Sequence, residues 1–124
     1  MYKIGSDISS HLNKVKPNMV IVQGDTTSAM AGALSAFYNN IPVAHVEAGL
    51  RTFEINEPYP EELNRKIISD ISSLNFVPTK SEFNNLINAG VKKKTITLTG
   101  NTVIDCLNWA LKNTNLSFQT VELI

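Results

Sequence analysis

One cysteine, Cys106, occurs in 124 residues, so no internal disulfide can form. That points to a reducing compartment. An excess of either charge is also missing: Lys plus Arg number 11 and Asp plus Glu 11, for a formal net charge of zero. Bulk attraction to nucleic acid or to an anionic membrane is therefore not expected. No apolar run approaches the roughly 18 residues that cross a bilayer. The opening stretch, "MYKIGSDISSHLNKV", has no continuous apolar core of the kind a secretory signal needs. Histidine is limited to His11 and His45. Carboxylates without a clear histidine partner are a weak metal signature, so neither a metal nor a cofactor is expected. What remains is 43% hydrophobic and 18% charged residues, enough for one core. The reading is a cytosolic domain or part of one, with no nucleic-acid or membrane partner.

Hydrophobic spacing divides the chain into alternating elements. Ile4, Ile8, Leu12 and Val15 recur at helical spacing, and Pro17 closes the segment. "MVIVQ" (Met19 to Gln23) is short, continuous and branched, as a strand covered on both faces reads. Met30, Ala31, Leu34, Phe37 and Tyr38 form a helical face, with Asn39 and Asn40 suited to its end. "IPVAHVE" (Ile41 to Glu47) is a second strand, and Leu63, Ile67, Ile68 and Ile71 form another helical stripe. "LNFVP" (Leu74 to Pro78) is a third strand. Thr79 and Glu82 have capping-box spacing ahead of Phe83, Leu86 and Ile87, and Gly90 stops that helix. "TITLT" (Thr95 to Thr99) alternates as an edge strand would, and Val103, Ile104, Leu107 and Leu111 form a last helix. Such alternation predicts an α/β fold: a Rossmann-like parallel sheet with helices on both faces. Residues 1–112 read as an incomplete segment of such a domain, because the chain opens in a helix and supplies only four strands. Residues 113–124 carry no pattern.

In a parallel sheet every strand ends on the same edge, where open α/β folds bind ligands. Asp25 follows the first strand, Glu47 ends the second, and Glu57, Glu61 and Glu62 lie in or just after the next loop. Crowded, partly buried carboxylates are suited to acid–base chemistry. Local structure offers competing roles. Asp25 could cap the helix that starts near Thr26. Pro60 suits a first helical turn, where Glu61 and Glu62 would favour the helix dipole. Glu47, closing an apolar strand before Gly49, has no capping duty, although a salt bridge to Arg51 is open to it. His45 reads as a packed or hydrogen-bonded strand residue, Cys106 as inert and Trp109 as packing. The turn "GDTTS" from Gly24 to Ser28 could bind a phosphate or a sugar hydroxyl through its N–H groups and hydroxyls. It matches neither dinucleotide-binding nor P-loop glycine spacing.

Four stretches occur in a specific order: "GDTTS" at Gly24 to Ser28, "HVEAGLRT" at His45 to Thr52, "PEELNR" at Pro60 to Arg65 and "TGNTVID" at Thr99 to Asp105. From about Pro17 to about Leu111 the chain closely resembles the non-hydrolysing UDP-N-acetylglucosamine 2-epimerases. The resemblance implies part of the N-terminal domain of a GT-B-type fold, in which two Rossmann-like domains face each other across a cleft. It implies interconversion of UDP-GlcNAc and UDP-ManNAc by elimination of UDP to a glycal and its re-addition, without a cofactor, in proteins that form homodimers. The catalytic carboxylates would be Asp25, Glu47 and Glu61, leaving Glu62 as a helix-end residue. Gly24, Thr26, Thr27 and Arg51 would bind substrate. The family's first strand, glycine/arginine loop and second domain have no counterpart here, and neither His11 nor His45 matches its catalytic histidine. A hydrolysing epimerase that releases ManNAc and a non-catalytic remnant of the fold are the alternatives.

Overall fold

The structure, a computed structural model, describes residues 2–113. In chain order the elements are α1 (Tyr2–Val15), β1 (Val20–Gln23), α2 (Thr27–Tyr38), β2 (Val43–Val46), α3 (Glu61–Ile71), β3 (Leu74–Val77), α4 (Lys80–Asn88), a 3-10 turn (Lys93–Thr95), β4 (Ile96–Leu98) and α5 (Thr102–Asn113). The order is that expected from the hydrophobic spacing, and the strands are trimmed by a residue or more at their ends. Apart from Asn113, the patternless stretch 113–124 lies outside the described residues.

All four strands are parallel and pair in the order β1-β2-β3-β4. Val22, His45, Asn75 and Ile96 register as one row across the sheet. Residues two apart share a face, so Val20, Val43 and Val77 lie on the same face as that row. One core cluster joins Val22 and Val43 to Leu12 of α1, Met30, Ala33 and Ala36 of α2, and Ile68 of α3. A second joins Val77 and Ile96 to Ala48 and to Leu86 of α4. Helices α1 to α4 thus gather on one face. With neighbouring strands following each other in sequence, each right-handed crossover lands on the same side. The second face carries Ile21, which is 68% exposed. Helix α5 buries none of its residues, and Trp109, expected to pack, is 67% exposed.

Helix α2 shows why a periodic stripe can mislead. Its buried residues are Met30, Ala31, Gly32, Ala33, Ser35 and Ala36, while Phe37 and Tyr38 face solvent. The helix is enclosed by α1, α3 and β1. Small side chains let those neighbours approach: a Cβ added to Gly32 would sit 3.6 Å from Val22 Cγ1. Tyr38 instead borders an open groove between α2 and α1, with Leu34 of α2 and Gly5 and Ser9 of α1. Helix α3 buries Ile68 and packs Ile67 and Ile71 on the core, but Leu63 stays largely exposed.

Gly49 is where a side chain is least tolerable. Its φ is +90°, and an added Cβ would lie 2.5 Å from the Glu82 carbonyl oxygen. The Asn85 side-chain amide also donates to the Gly49 carbonyl at 3.0 Å. Backbone strain of about 1–2 kcal/mol and overpacking of about 1–3 kcal/mol should add. Gly49→Ala is therefore expected to destabilise by about 2–5 kcal/mol in urea unfolding. Gly90→Ala, whose φ is +88° but whose added Cβ meets nothing within 4 Å, should cost only the strain. Equal losses would show that the contact with α4 is not tight.

Candidate active site

The site grows from the carboxyl ends of β1 and β2. Beyond β1, the Gly24 N–H continues the ladder to the Val46 carbonyl at 3.0 Å, and a φ of +71° turns the chain. His45 supports this turn from the neighbouring strand. Its Nε2 lies 2.8 Å from the Gly24 carbonyl, which can only accept, so Nε2 carries the proton. Burial pushes the His45 pKa below its ordinary value, outweighing the Gly24 hydrogen bond and the nearby Asp25 and Glu47 charges.

Glu47 follows β2 with a φ of +64°, a left-handed conformation uncommon for a residue with a side chain. Its Oε2 lies 3.8 Å from where a Cβ on Gly24 would be, so its carboxylate leans toward the first turn. Gly24, Asp25, Glu47, Leu50 and Arg65 line a hollow of about 70 Å³. Glu47 also lines a smaller one with Thr99, Gly100, Asn101 and Thr102. Residues of all four motif stretches therefore meet at the carboxyl edge of the sheet, around Glu47.

The expected cap role of Asp25 is not what the structure shows. Thr26 caps α2, its Oγ1 accepting from the Ala29 N–H at 3.1 Å. Asp25 instead receives Arg65, with Nε and Nη2 at 2.8 and 2.7 Å from Oδ2. Thr27 opens α2 and is half-buried. Glu61 is the first residue of α3, half-buried, and does not line the hollow shared by Asp25 and Glu47.

Two further placements depart from expectation. Glu62 stands in the first turn of α3, as expected, but does more than end the helix: it is 1% exposed and held by several donors. Its Oε1 accepts Arg51 Nε at 2.7 Å and the Phe53 N–H at 3.3 Å; its Oε2 accepts the Thr52 N–H at 3.1 Å and Arg65 Nη1 at 3.3 Å. Arg51 thus pairs with Glu62 rather than Glu47, and its guanidinium also stacks 5.2 Å from the Phe53 ring centre. It lines a groove with Lys66, Asp70 and Asn88, apart from the Asp25–Glu47 hollow. Arg65 supplies the cation there. The hint for Arg65 was the spacing of three from Glu62 on a helix. Asn64, also missed, donates to the Asp25 carbonyl at 2.7 Å. Among the described residues, no group of three or more His, Cys, Asp or Glu side chains is arranged to hold a metal.

Burial alone would raise the Glu62 pKa. The Thr52 N–H, the hydrogen bond and charge of Arg51, and Arg65 outweigh it, leaving the pKa below that of an ordinary glutamate. A carboxyl with a depressed folded-state pKa contributes stability above its unfolded pKa and loses it as pH falls through the folded value. Glu62→Gln should lower stability at pH 7 by about 3–5 kcal/mol, the cost of breaking a buried pair. Below the unfolded pKa the gap to the wild type should narrow as pH falls further. Urea unfolding of both proteins at pH 7 and at about pH 3 measures this, and a constant gap would exclude the ionic origin.

The family model for UDP-N-acetylglucosamine 2-epimerase matches residues 1–123. A UDP-N-acetylglucosamine 2-epimerase of Campylobacter jejuni is 52% identical over 105 residues, covering 85% of this chain and 27% of that protein. The crystal structure of the Neisseria meningitidis UDP-GlcNAc 2-epimerase bound to UDP-GlcNAc superposes with a TM-score of 0.88 at 41% identity, over 96% of this chain and 32% of that one. The Methanocaldococcus jannaschii UDP-GlcNAc 2-epimerase in complex with UDP-GlcNAc and UDP gives 0.87 at 44% identity, over 94% and 32%. The chain thus spans less than a third of the length of these relatives. With its parallel sheet, its convergent motifs and these matches, the chain belongs to the UDP-N-acetylglucosamine 2-epimerase family.

Proposed function

We propose that this chain forms one wall of the active site of a UDP-GlcNAc 2-epimerase, within the N-terminal domain of a GT-B-type fold. The reaction interconverts UDP-GlcNAc and UDP-ManNAc. A carboxylate takes the C2 proton, the C1–O bond breaks, and UDP leaves with the bonding pair, giving a glycal. A proton then returns to C2 from the opposite face as UDP re-bonds at C1. Removal and return on opposite faces call for more than one positioned group, which supports a set of carboxylates over a single one. Asp25, Glu47 and Glu61 are the groups proposed for this chemistry. Gly24, Thr26, Thr27 and Arg51 are proposed to contact the substrate. The observation that carries the reading is the convergence of all four motif stretches on Glu47, with Asp25 beside it in one hollow.

The UDP-sugar substrate is supported by the ligands named for the Neisseria and Methanocaldococcus structures. Among the described residues no helix is long and apolar enough to cross a membrane. We place the activity in the cytoplasm, in a homodimer that supplies polysaccharide biosynthesis.

The residue test uses a chimera in which this chain replaces its counterpart in the Neisseria meningitidis relative. Asp25→Asn, Glu47→Gln and Glu61→Gln should each lower turnover by about a hundredfold or more, the scale of lost acid–base catalysis. Glu47→Gly should also abolish turnover, yet leave the chain at least as stable, because it relieves the left-handed backbone. An active Glu47→Gln chimera would remove Glu47 from the chemistry.

The 124-residue chain by itself is expected to be inactive. The hollow around Asp25 and Glu47 holds about 70 Å³, against about 300–1,000 Å³ for sites that enclose a small ligand. A nucleotide sugar bound there would remain in water, without an opposing wall to hold the departing diphosphate. In heavy water, NMR should show no deuterium incorporation at C2 of UDP-GlcNAc above background. Incorporation would show that one wall suffices for the first step.

A further inference from the structure

The proposed chemistry assigns nothing to Glu62, although it is a centre of ionic contacts beside the site. Its donors come from the 51–53 loop and from its own helix. A carboxylate serving only to fasten that loop would need Arg51 and the two backbone amides. Arg65 joins the same cluster through Nη1 and spends its Nε and Nη2 on Asp25 Oδ2. One residue earlier, Asn64 holds the Asp25 backbone carbonyl. The first turns of α3 therefore grip Asp25 by both its main chain and its side chain. Among the described residues, Asp25 Oδ2 is taken and Oδ1 accepts no hydrogen bond.

Arg65 alone would be a loose anchor. Arginine has several rotatable bonds, and Asp25 is partly exposed, with its side chain 28% accessible. Water reaches the Asp25 end of the pair and weakens the attraction there, although Arg65 itself is buried. Glu62 changes this. It is 1% exposed, and it pins the guanidinium from the interior while the fork faces Asp25. The planar guanidinium then has two fixed sides, one structural and one facing the hollow.

The geometry points to Glu62 as a positioning residue for Asp25, acting through Arg65: it locks the guanidinium that takes Oδ2, leaving Oδ1 for the hydrogen at C2 of the sugar. This rests on the reading of Asp25 as one of the reacting carboxylates. Glu62 itself touches no reacting atom in this scheme.

The test has two arms. Because Glu62→Gln leaves two buried arginines, the variant used is Arg51→Met with Glu62→Gln, which removes one acid and one base together. Arg51→Met alone is the reference. Arg51 is itself proposed to contact the substrate, so its loss is common to both variants and cancels in their comparison. Glu62→Asp, which keeps Arg51 and shortens the carboxylate, repeats both readouts against the unsubstituted protein. In the first arm, NMR on the 124-residue chain follows solvent exchange of the Arg65 Nε–H. Glu62 holds Nη1, whereas Nε–H is bonded to Asp25 Oδ2, so Nε–H exchange reports whether the fork still grips Asp25 once Nη1 is released. In the double variant it should be about tenfold or more faster than in the reference, as when a charged hydrogen bond is opened. Equal exchange overturns the proposal.

The second arm measures kinetics in the chimera. The kcat of the double variant should fall about a hundredfold below the reference, the penalty for a group misplaced by about 1 Å. KM should stay within a few-fold. A merely structural role would leave kcat intact in the folded protein, and that outcome overturns the proposal, as would a rise in KM alone. If the unsubstituted chimera is inactive, the epimerase reading fails, and the exchange arm still decides whether Glu62 locks Arg65.

Discussion

Parallel pairing is the constraint on which the rest depends. The strands share one direction, so each ends at the same edge and each chain reversal beyond it opens into the same space. Gly24 and Asp25, Glu47, and the Thr99–Thr102 segment meet there because they follow β1, β2 and β4. The same constraint stacks α2, α3 and α4 on one face, since consecutive right-handed crossovers step in one direction. That makes the core one-sided and leaves the other face with apolar side chains such as Ile21 exposed.

The one-sided core demands close helix packing. Helix α2 meets this demand with alanine, glycine and serine, and Gly49 meets it where the loop after β2 passes over α4. These approaches draw the sheet edge and the helix starts together. Only then can the short reach of an asparagine, Asn64, span from α3 to the turn after β1. Packing density in the core thus sets the distances available to polar groups at the rim.

Electrostatics then organises the rim. Two arginines and two carboxylates alternate from Arg51 through Glu62 and Arg65 to Asp25, so each buried charge has an opposite neighbour. Isolated, either arginine or Glu62 would be costly to bury. The order has a consequence for chemistry: the most buried member, Glu62, is fixed by the backbone amides of Thr52 and Phe53, and the end toward the hollow is Asp25. His45 does comparable work without charge, holding the Gly24 carbonyl through its Nε2 proton.

Sequence by itself determined the alternation of helices and strands, their parallel arrangement and the edge at which Asp25 and Glu47 stand. Those follow from hydrophobic spacing and from rules of chain crossing, which are local or generic. It also indicated Gly24 and Glu47 as unusual, through a glycine at a turn and a charge closing an apolar strand. Tertiary structure alone decided which of the adjacent Glu61 and Glu62 turns inward, since consecutive helix residues point about 100° apart and only the rotation of α3 selects one. It decided that Thr26 rather than Asp25 caps α2, and that Arg51 reaches Glu62 rather than Glu47. It exposed Phe37 and Tyr38, which periodicity had assigned to the core, because α1, α3 and β1 close on the small residues of α2 instead. Each of these outcomes depends on contacts between segments distant in the chain, such as that between Arg65 and Asp25, and no local pattern encodes the separation that a folded core imposes on them.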